Sequence, residues 1–175
     1  MYKNTRQLVA RIGETDQLYL DANTPELALE RAELRLELVT LSSIRQEQIH
    51  FLQEAVVLLE QGRISFEEMP MRLYIELSLC LAKAYMIFYE LTHENKYAVV
   101  TQQILKPLSI QENGNIFFFL AYAAAVKQEP AMTKYWISKY INTAELDWEL
   151  LNHHHAFVQV KQSDWFKQIA QTRLH

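Results

Sequence analysis

The segment Asn115-Ile116-Phe117-Phe118-Phe119-Leu120-Ala121-Tyr122-Ala123-Ala124-Ala125-Val126-Lys127 is apolar on almost every side of a helix. Its unbroken apolar run, Ile116 to Val126, has 11 residues. A bilayer span needs about 20, so this length fits a helix enclosed by other helices. Phe117, Phe118 and Phe119 invite a ligand-pocket reading, but Ala121, Ala123, Ala124 and Ala125 stand beside them. Bulky side chains alternating with small ones allow two helices to interdigitate closely. The segment is therefore expected to be the central core helix of an all-α fold, provided the rest of the chain supplies helices to enclose it.

The neighbouring sequence supplies them. Pro130 opens a partner helix carrying Tyr135, Trp136 and Tyr140, and a last pair is expected over about 145–161 and 164–172. Asp147 and Asp164 lie near the starts of that pair, where an acidic side chain complements the helix dipole. Toward the N-terminus, Pro70 opens the longest helix, to about His93, with the stripe Leu73, Leu77, Leu81, Ala84, Phe88 and Leu91. Tyr97, Val100 and Ile104 carry a shorter helix ended by Pro107, since the residue before a proline is biased away from helix. Thr24 and Pro25 form a helix start: a capping hydroxyl followed by a residue whose missing N–H costs nothing there. Leu27, Leu34, Leu38 and Leu41 follow, a seam that could also serve an oligomeric structural protein, possible as a homodimer. Ser43 and Gln46 have capping-box spacing, and Ile49, Leu52, Val56 and Leu59 form the next stripe. Gly62 is expected as a helix C-terminal glycine. Residues 4–12 form a short amphipathic helix through Leu8, Val9 and Ile12, with Gly13 ending it and 14–24 irregular. The expected organisation is one all-helical domain over 1–175: an N-terminal arm and short helix (1–24), a first helix pair (25–69) and further pairs (70–173). Eight or nine helices and no strand are expected.

Composition agrees. Glycine and proline together make only 7 of 175 residues, and the glycines Gly13, Gly62 and Gly114 lie 49 and 52 residues apart. Clustered-glycine phosphate loops are thereby excluded, as are glycine-rich hairpins. Residues 1–69 hold 7 basic and 12 acidic groups, net −5, and residues 70–175 hold 10 and 9, net +1. Neither half has the concentrated Lys/Arg field of a nucleic-acid binder. Sixteen of the 20 aromatic residues follow residue 69, so the second half is expected to hold the bulkier core. Cys80, the single cysteine, sits in the apolar run Leu77–Ala82 and reads as a small buried hydrophobe. A lone cysteine suits a reducing compartment. Met1-Tyr2-Lys3-Asn4-Thr5-Arg6 leads into no apolar core, so a cytoplasmic protein without a signal peptide is expected.

Several polar groups are candidates for chemistry. His153-His154-His155 is conspicuous, but successive helical residues point about 100° apart, so one regular helix cannot converge all three on a metal. Glu47-x-x-His50 and Glu90-x-x-His93 each place a carboxylate and an imidazole on one helix face, as in the di-metal sites of ferritin-like bundles; a helical-bundle metalloprotein is the alternative they raise. No Gly-x-Ser-x-Gly is present and Cys80 has no histidine near it in sequence. No nucleophile-based enzyme and no cofactor are expected.

Helix pairs begin near Pro25, Pro70, Asn115 and Glu145, and three first helices align weakly: Ala82-x-x-Tyr85-Met86-x-x-Tyr89, Phe117-x-x-Leu120-Ala121-x-x-Ala124 and Trp148-x-x-Leu151-Asn152-x-x-His155. This pattern, over about residues 70–173, resembles the tetratricopeptide repeat (TPR). The small residue of the second helix then falls at Ala98, Thr133 and Asp164, and the aromatic position at Gln102, Ile137 and Gln168. The resemblance implies antiparallel helix pairs stacked as a short right-handed α-solenoid, with a closed helical bundle as the alternative. It implies a non-enzymatic protein–protein interaction module, an adaptor, chaperone-like protein or immunity-like inhibitor, that takes a peptide or partner helix in a concave groove. The groove positions it implies are Lys83, Glu90, Phe118, Tyr122, Glu149 and His153.

Overall fold

A computed structural model describes residues 4–173 in full and the backbone of 174; Met1–Lys3, the start of the expected N-terminal arm, lie outside the described residues. Among the described residues no strand occurs, and nine α-helices follow in order: α1 (Thr5–Asp21), α2 (Pro25–Leu41), α3 (Arg45–Ile64), α4 (Met71–Thr92), α5 (Asn95–Leu105), α6 (Gly114–Val126), α7 (Pro130–Tyr140), α8 (Trp148–His153) and α9 (Asp164–Leu174). Short 3-10 turns lie at 106–111, 155–157 and 160–162. No helix of the described residues is long and apolar enough to cross a membrane. The chain divides into two compact units, one up to Ile104 and one from Leu105 onward, a boundary that falls inside α5.

In the first unit α2 is the hub, packing on α1, α3 and α4. It starts where Thr24 and Pro25 placed it: Thr24 Oγ1 accepts the Leu27 N–H at 3.1 Å. Leu27, Leu34 and Leu38 are buried within the unit while Leu41 is 53 % exposed, so three quarters of the expected seam is internal. α1 corrects the sequence reading. It runs through Gly13 to Asp21, and 14–21 is helical, not irregular. A Cβ at Gly13 would meet nothing within 4 Å. A glycine in an exposed helix interior costs only about 1 kcal/mol, which Leu8, buried with Leu34 and Leu38, offsets. Gly62 is corrected as well. α3 continues past it to Ile64, and a Cβ at Gly62 would lie 3.3 Å from Ala28 Cβ and 3.5 Å from Leu77 Cδ2. The residue is needed for the close approach of α2, α3 and α4, not for a cap. The end of α4 is capped by His93 in the left-handed region, φ 56°. Tyr97 on α5 stacks on Phe88 of α4 at 4.9 Å.

In the second unit α6 is enclosed as expected: Ile116, Phe117, Phe118, Leu120, Ala121, Tyr122, Ala123 and Ala124 are all buried. It packs on α7 and on the turn 155–157. Trp136 stacks on Phe117 at 5.8 Å. The expected helix over 145–161 does not form as one piece. α8 stops at His153 after six residues, His154 turns extended (φ −67°, ψ 128°), and Phe157 then reaches a fully buried position. Its ring meets Phe118 at 5.9 Å. Burying Phe157 against α6 outweighs continuing the helix, and the third aligned segment therefore has its fourth position, His155, beyond the helix and exposed.

Gly114 begins α6 in a cradle that tolerates no side chain. A Cβ there would overlap Thr143 Oγ1 and lie 2.9 Å from Thr143 Cβ and 3.0 Å from Glu145 Cβ. The Gly114 N–H donates to Glu145 Oε2 at 3.2 Å. Gly114→Ala is expected to lower the stability of this unit by about 2 kcal/mol, within the range for overpacking. Adding Thr143→Gly, which vacates the space, should recover part of the loss. Chemical denaturation of the single and double variants checks this.

Candidate functional site

The turn between α2 and α3 is built from polar side chains. The Ser42 N–H donates to Leu38 O at 2.9 Å, ending α2. Ser42 Oγ accepts the Ile44 N–H at 3.2 Å and donates to Glu47 Oε2 at 2.9 Å. Gln48 Nε2 donates to Ser42 O at 2.8 Å. The capping box expected of Ser43 and Gln46 is thus replaced: Ile44 occupies the cap position without a side-chain bond, and Ser42 with Glu47 ties the turn instead. A turn held in this way fixes Ile44 outward, 54 % exposed.

Ile44 is one wall of a groove of about 560 Å³. Val9 on α1 and Leu41 on α2 form the others, exposed at 54 % and 53 %. Leu38 and Phe51 line the groove between them, where they join the buried cluster of Leu8 and Leu34. Glu47 and His50 are the ionisable residues at its edge. Exposed apolar side chains are ordinary when scattered; here three large ones share one groove.

Beside this groove lies a charge network that joins three helices. Arg35 on α2, 6 % exposed, donates from Nε to Glu54 Oε2 on α3 at 2.8 Å and from Nη2 to both Asp16 carboxylate oxygens on α1 at 3.3 Å. Arg31 Nε donates to Asp16 Oδ1 at 3.0 Å, and its guanidinium lies 4.3 Å over the Tyr19 ring. Arg11 on α1 forms a two-point pair with Glu30 on α2, at 2.7 and 3.1 Å. Each positive group faces a carboxylate, so the network fixes helices and offers no unopposed charge to a ligand.

Two other polar clusters lie in the second unit. Lys139 Nζ sits 5.3 Å from the Phe117 and Tyr135 ring centres and 6.0 Å from that of Trp136. The His154 ring stacks on His155 at 4.6 Å and meets Tyr122 at 4.4 Å, while His154 Nδ1 accepts the Ala156 N–H at 3.2 Å. His153 caps its own helix end through Nδ1 to Glu149 O at 2.9 Å. The triplet is thus divided among a helix end, a turn cap and an exposed ring.

The implied groove residues have different fates. Lys83, Glu149 and His153 are exposed and Glu90 is half-buried. Phe118 and Tyr122 are 7 % and 6 % exposed; covered by the turn 155–157 and the neighbouring rings, they present no face to a partner. Lys83 lies near Glu33, whose carboxyl is held above the ordinary range by burial, with Lys83 opposing that shift. The four candidate metal ligands are not brought together. His50 Nε2 faces Glu54 at 3.1 Å, Glu47 holds Ser42, and His93 stands edge-on to Tyr89 at 5.8 Å. Among the described residues no group of three His, Cys, Asp or Glu is placed to hold a metal ion. Burial pushes the Cys80 thiol up to about 12, with Glu33 adding to the shift, so the reactive thiolate is scarce at neutral pH.

Comparison of the chain with protein-family models, with curated proteins and with solved structures gives no match.

Sequence reading missed the groove for a simple reason. Val9, Leu41 and Ile44 carry the same apolar signature as their buried neighbours Leu8 and Leu38, and periodicity alone does not say which apolar residue lacks a covering element. Arg35 was equally hidden, because an arginine between leucines reads as a solvated face.

Proposed function

We propose that the chain is a non-enzymatic protein-binding module, an adaptor or inhibitor of one partner protein, whose helix pairs belong to a short TPR-like α-solenoid. The observation that carries the binding role is the groove walled by Val9, Leu41 and Ile44, half of whose side-chain surface lies open. Apolar surface of this kind is stabilised by a partner, about 25 cal/mol for each Å² removed from water, and apolar grooves between helices take extended peptides or the apolar face of a helix. The pairing of α2 with α3 and of α6 with α7 supports the repeat reading. Binding would use the α1–α3 groove in place of the buried Phe118 and Tyr122. A cytoplasmic setting is in keeping with the buried, unpaired Cys80.

The test is comparative capture. Wild-type protein and the double variant Val9→Glu, Ile44→Glu are immobilised and exposed to extract of the native organism. Both positions are exposed, so the variant should keep the wild-type circular dichroism spectrum. A protein retained by wild type and lost by the variant is the expected result. Identical retention by both removes the groove from the binding role.

A further inference from the structure

A second groove, of about 600 Å³, lies where the α3–α4 connection passes the start of α2. Its apolar lining includes Pro25, Phe66 and Met69, and the connection is flanked by Ile64 and Met71. Ile64 is 82 % exposed, the highest value among the large apolar side chains of the described residues, and Met71 is 51 % exposed. Methionine is unbranched and polarizable, and adapts its shape to a partner. The ionisable residues of the lining are Glu26, Glu67 and Glu68, all acidic and all exposed, with no basic residue among them. The nearest arginines in the chain are turned elsewhere. Arg63 donates to Ser78 Oγ at 3.0 Å and to Tyr74 Oη at 2.9 Å, and Arg72 pairs with Glu76 at 2.8 Å.

An apolar floor with an acid-only rim is complementary to a segment that carries apolar and cationic side chains together. We infer that this groove docks a basic amphipathic segment of a partner protein, its apolar side chains on Pro25, Phe66 and Met69 and its lysines or arginines facing Glu26, Glu67 and Glu68. The inference rests on the protein-binding reading and names the chemistry of the partner. Lysine and arginine stems cover apolar surface while their heads stay in water, which suits a shallow groove with charges at its edge. The rim charges attract the segment from a distance and weaken with salt; the apolar floor holds it.

The probe is a fluorescein-labelled 14-residue helical peptide of leucine and lysine with one apolar face, with a leucine–glutamate peptide of the same pattern for comparison. The full chain is titrated into each and anisotropy is read. Saturable binding of the leucine–lysine peptide and none of the leucine–glutamate peptide is expected. Glu67→Lys with Glu68→Lys should weaken binding about tenfold or more. Phe66→Ser with Met69→Ser should weaken it severalfold while leaving its salt dependence in place. The control pair Glu37→Lys, Glu94→Lys carries the same change of net charge within the same unit, far along α2 from Pro25 and beyond the opposite end of α4 from Met71, and should leave affinity within about twofold. Absent binding, equal loss in the control pair, or no loss on removing Phe66 and Met69 would each overturn the inference. Partners captured through Val9 and Ile44 but indifferent to Glu67 and Glu68 would leave the general reading standing and this one refuted.

Discussion

Phe157→Ala is expected to destabilise the unit beginning at Leu105 by about 3–5 kcal/mol, the usual cost of emptying a fully buried phenylalanine site. The residue has no exposed surface, and its ring meets Phe118 at 5.9 Å and His154 at 5.4 Å. Phe118 belongs to the buried face of α6, which is already closely packed, so little relaxation is available on that side. Phe157→Leu fills most of the volume and should cost about 1–2 kcal/mol. All three tryptophans, Trp136, Trp148 and Trp165, lie in this unit, so the urea dependence of tryptophan emission reads its unfolding directly. A loss below about 1 kcal/mol for the alanine variant would mean that the turn 155–157 is not fastened to α6 as described.

Arg35→Ala is expected to cost the unit ending at Ile104 about 3 kcal/mol. Removing one member of a buried ion pair commonly costs about 3–5 kcal/mol. The lower end applies here because Asp16 and Glu54 are 40 % and 39 % exposed and regain water when the guanidinium leaves. Arg35→Met keeps the aliphatic stem and should lose about 1–2 kcal/mol, since part of the alanine effect is lost packing. Arg35→Lys should fall between them: a lysine has one ammonium and cannot serve Glu54 on one side and Asp16 on the other through a planar fork. Thermal unfolding followed by far-ultraviolet circular dichroism, compared across the three variants, checks the order. Equal losses for methionine and alanine would assign the whole effect to charge and none to packing.

These two residues also show how far the sequence could be read. The all-helical class followed from glycine scarcity and from apolar spacing, and α2 began where Thr24 and Pro25 marked it, because those signals act within a single turn of chain. The break after His153 left no such mark. No proline or glycine stands between Trp148 and Gln162; the helix ends because Phe157 gains more by packing on α6 than by continuing, and that gain comes from residues some 40 positions away. Gly13 and Gly62 failed in the opposite direction. Each looked like a stop, yet one is an exposed interior position with open space around it and the other serves the approach of Ala28 and Leu77. The site was less legible than the fold. An alignment placed Phe118 and Tyr122 on a groove, but the turn that covers them could be seen only once the chain had folded. Val9 and Ile44 looked like core because nothing in a sequence says which stripe lacks a lid.

The way α1 is fastened has a consequence for motion. Only Leu8 and Thr15 of its 17 residues are buried, and Thr15 spends its hydroxyl on Ile12 O within the same helix. The remaining attachments to α2 include the pairs of Arg11 with Glu30 and of Asp16 with Arg31 and Arg35. Partly exposed pairs weaken as ionic strength rises, whereas apolar contacts do not. Part of the hold of α1 on α2 is therefore weakened by salt, while Leu8 and Ile12 keep an apolar part that is not. Val9 rides on this helix, so opening of α1 would widen the groove it walls, and faster amide exchange along α1 at high ionic strength is the expected result.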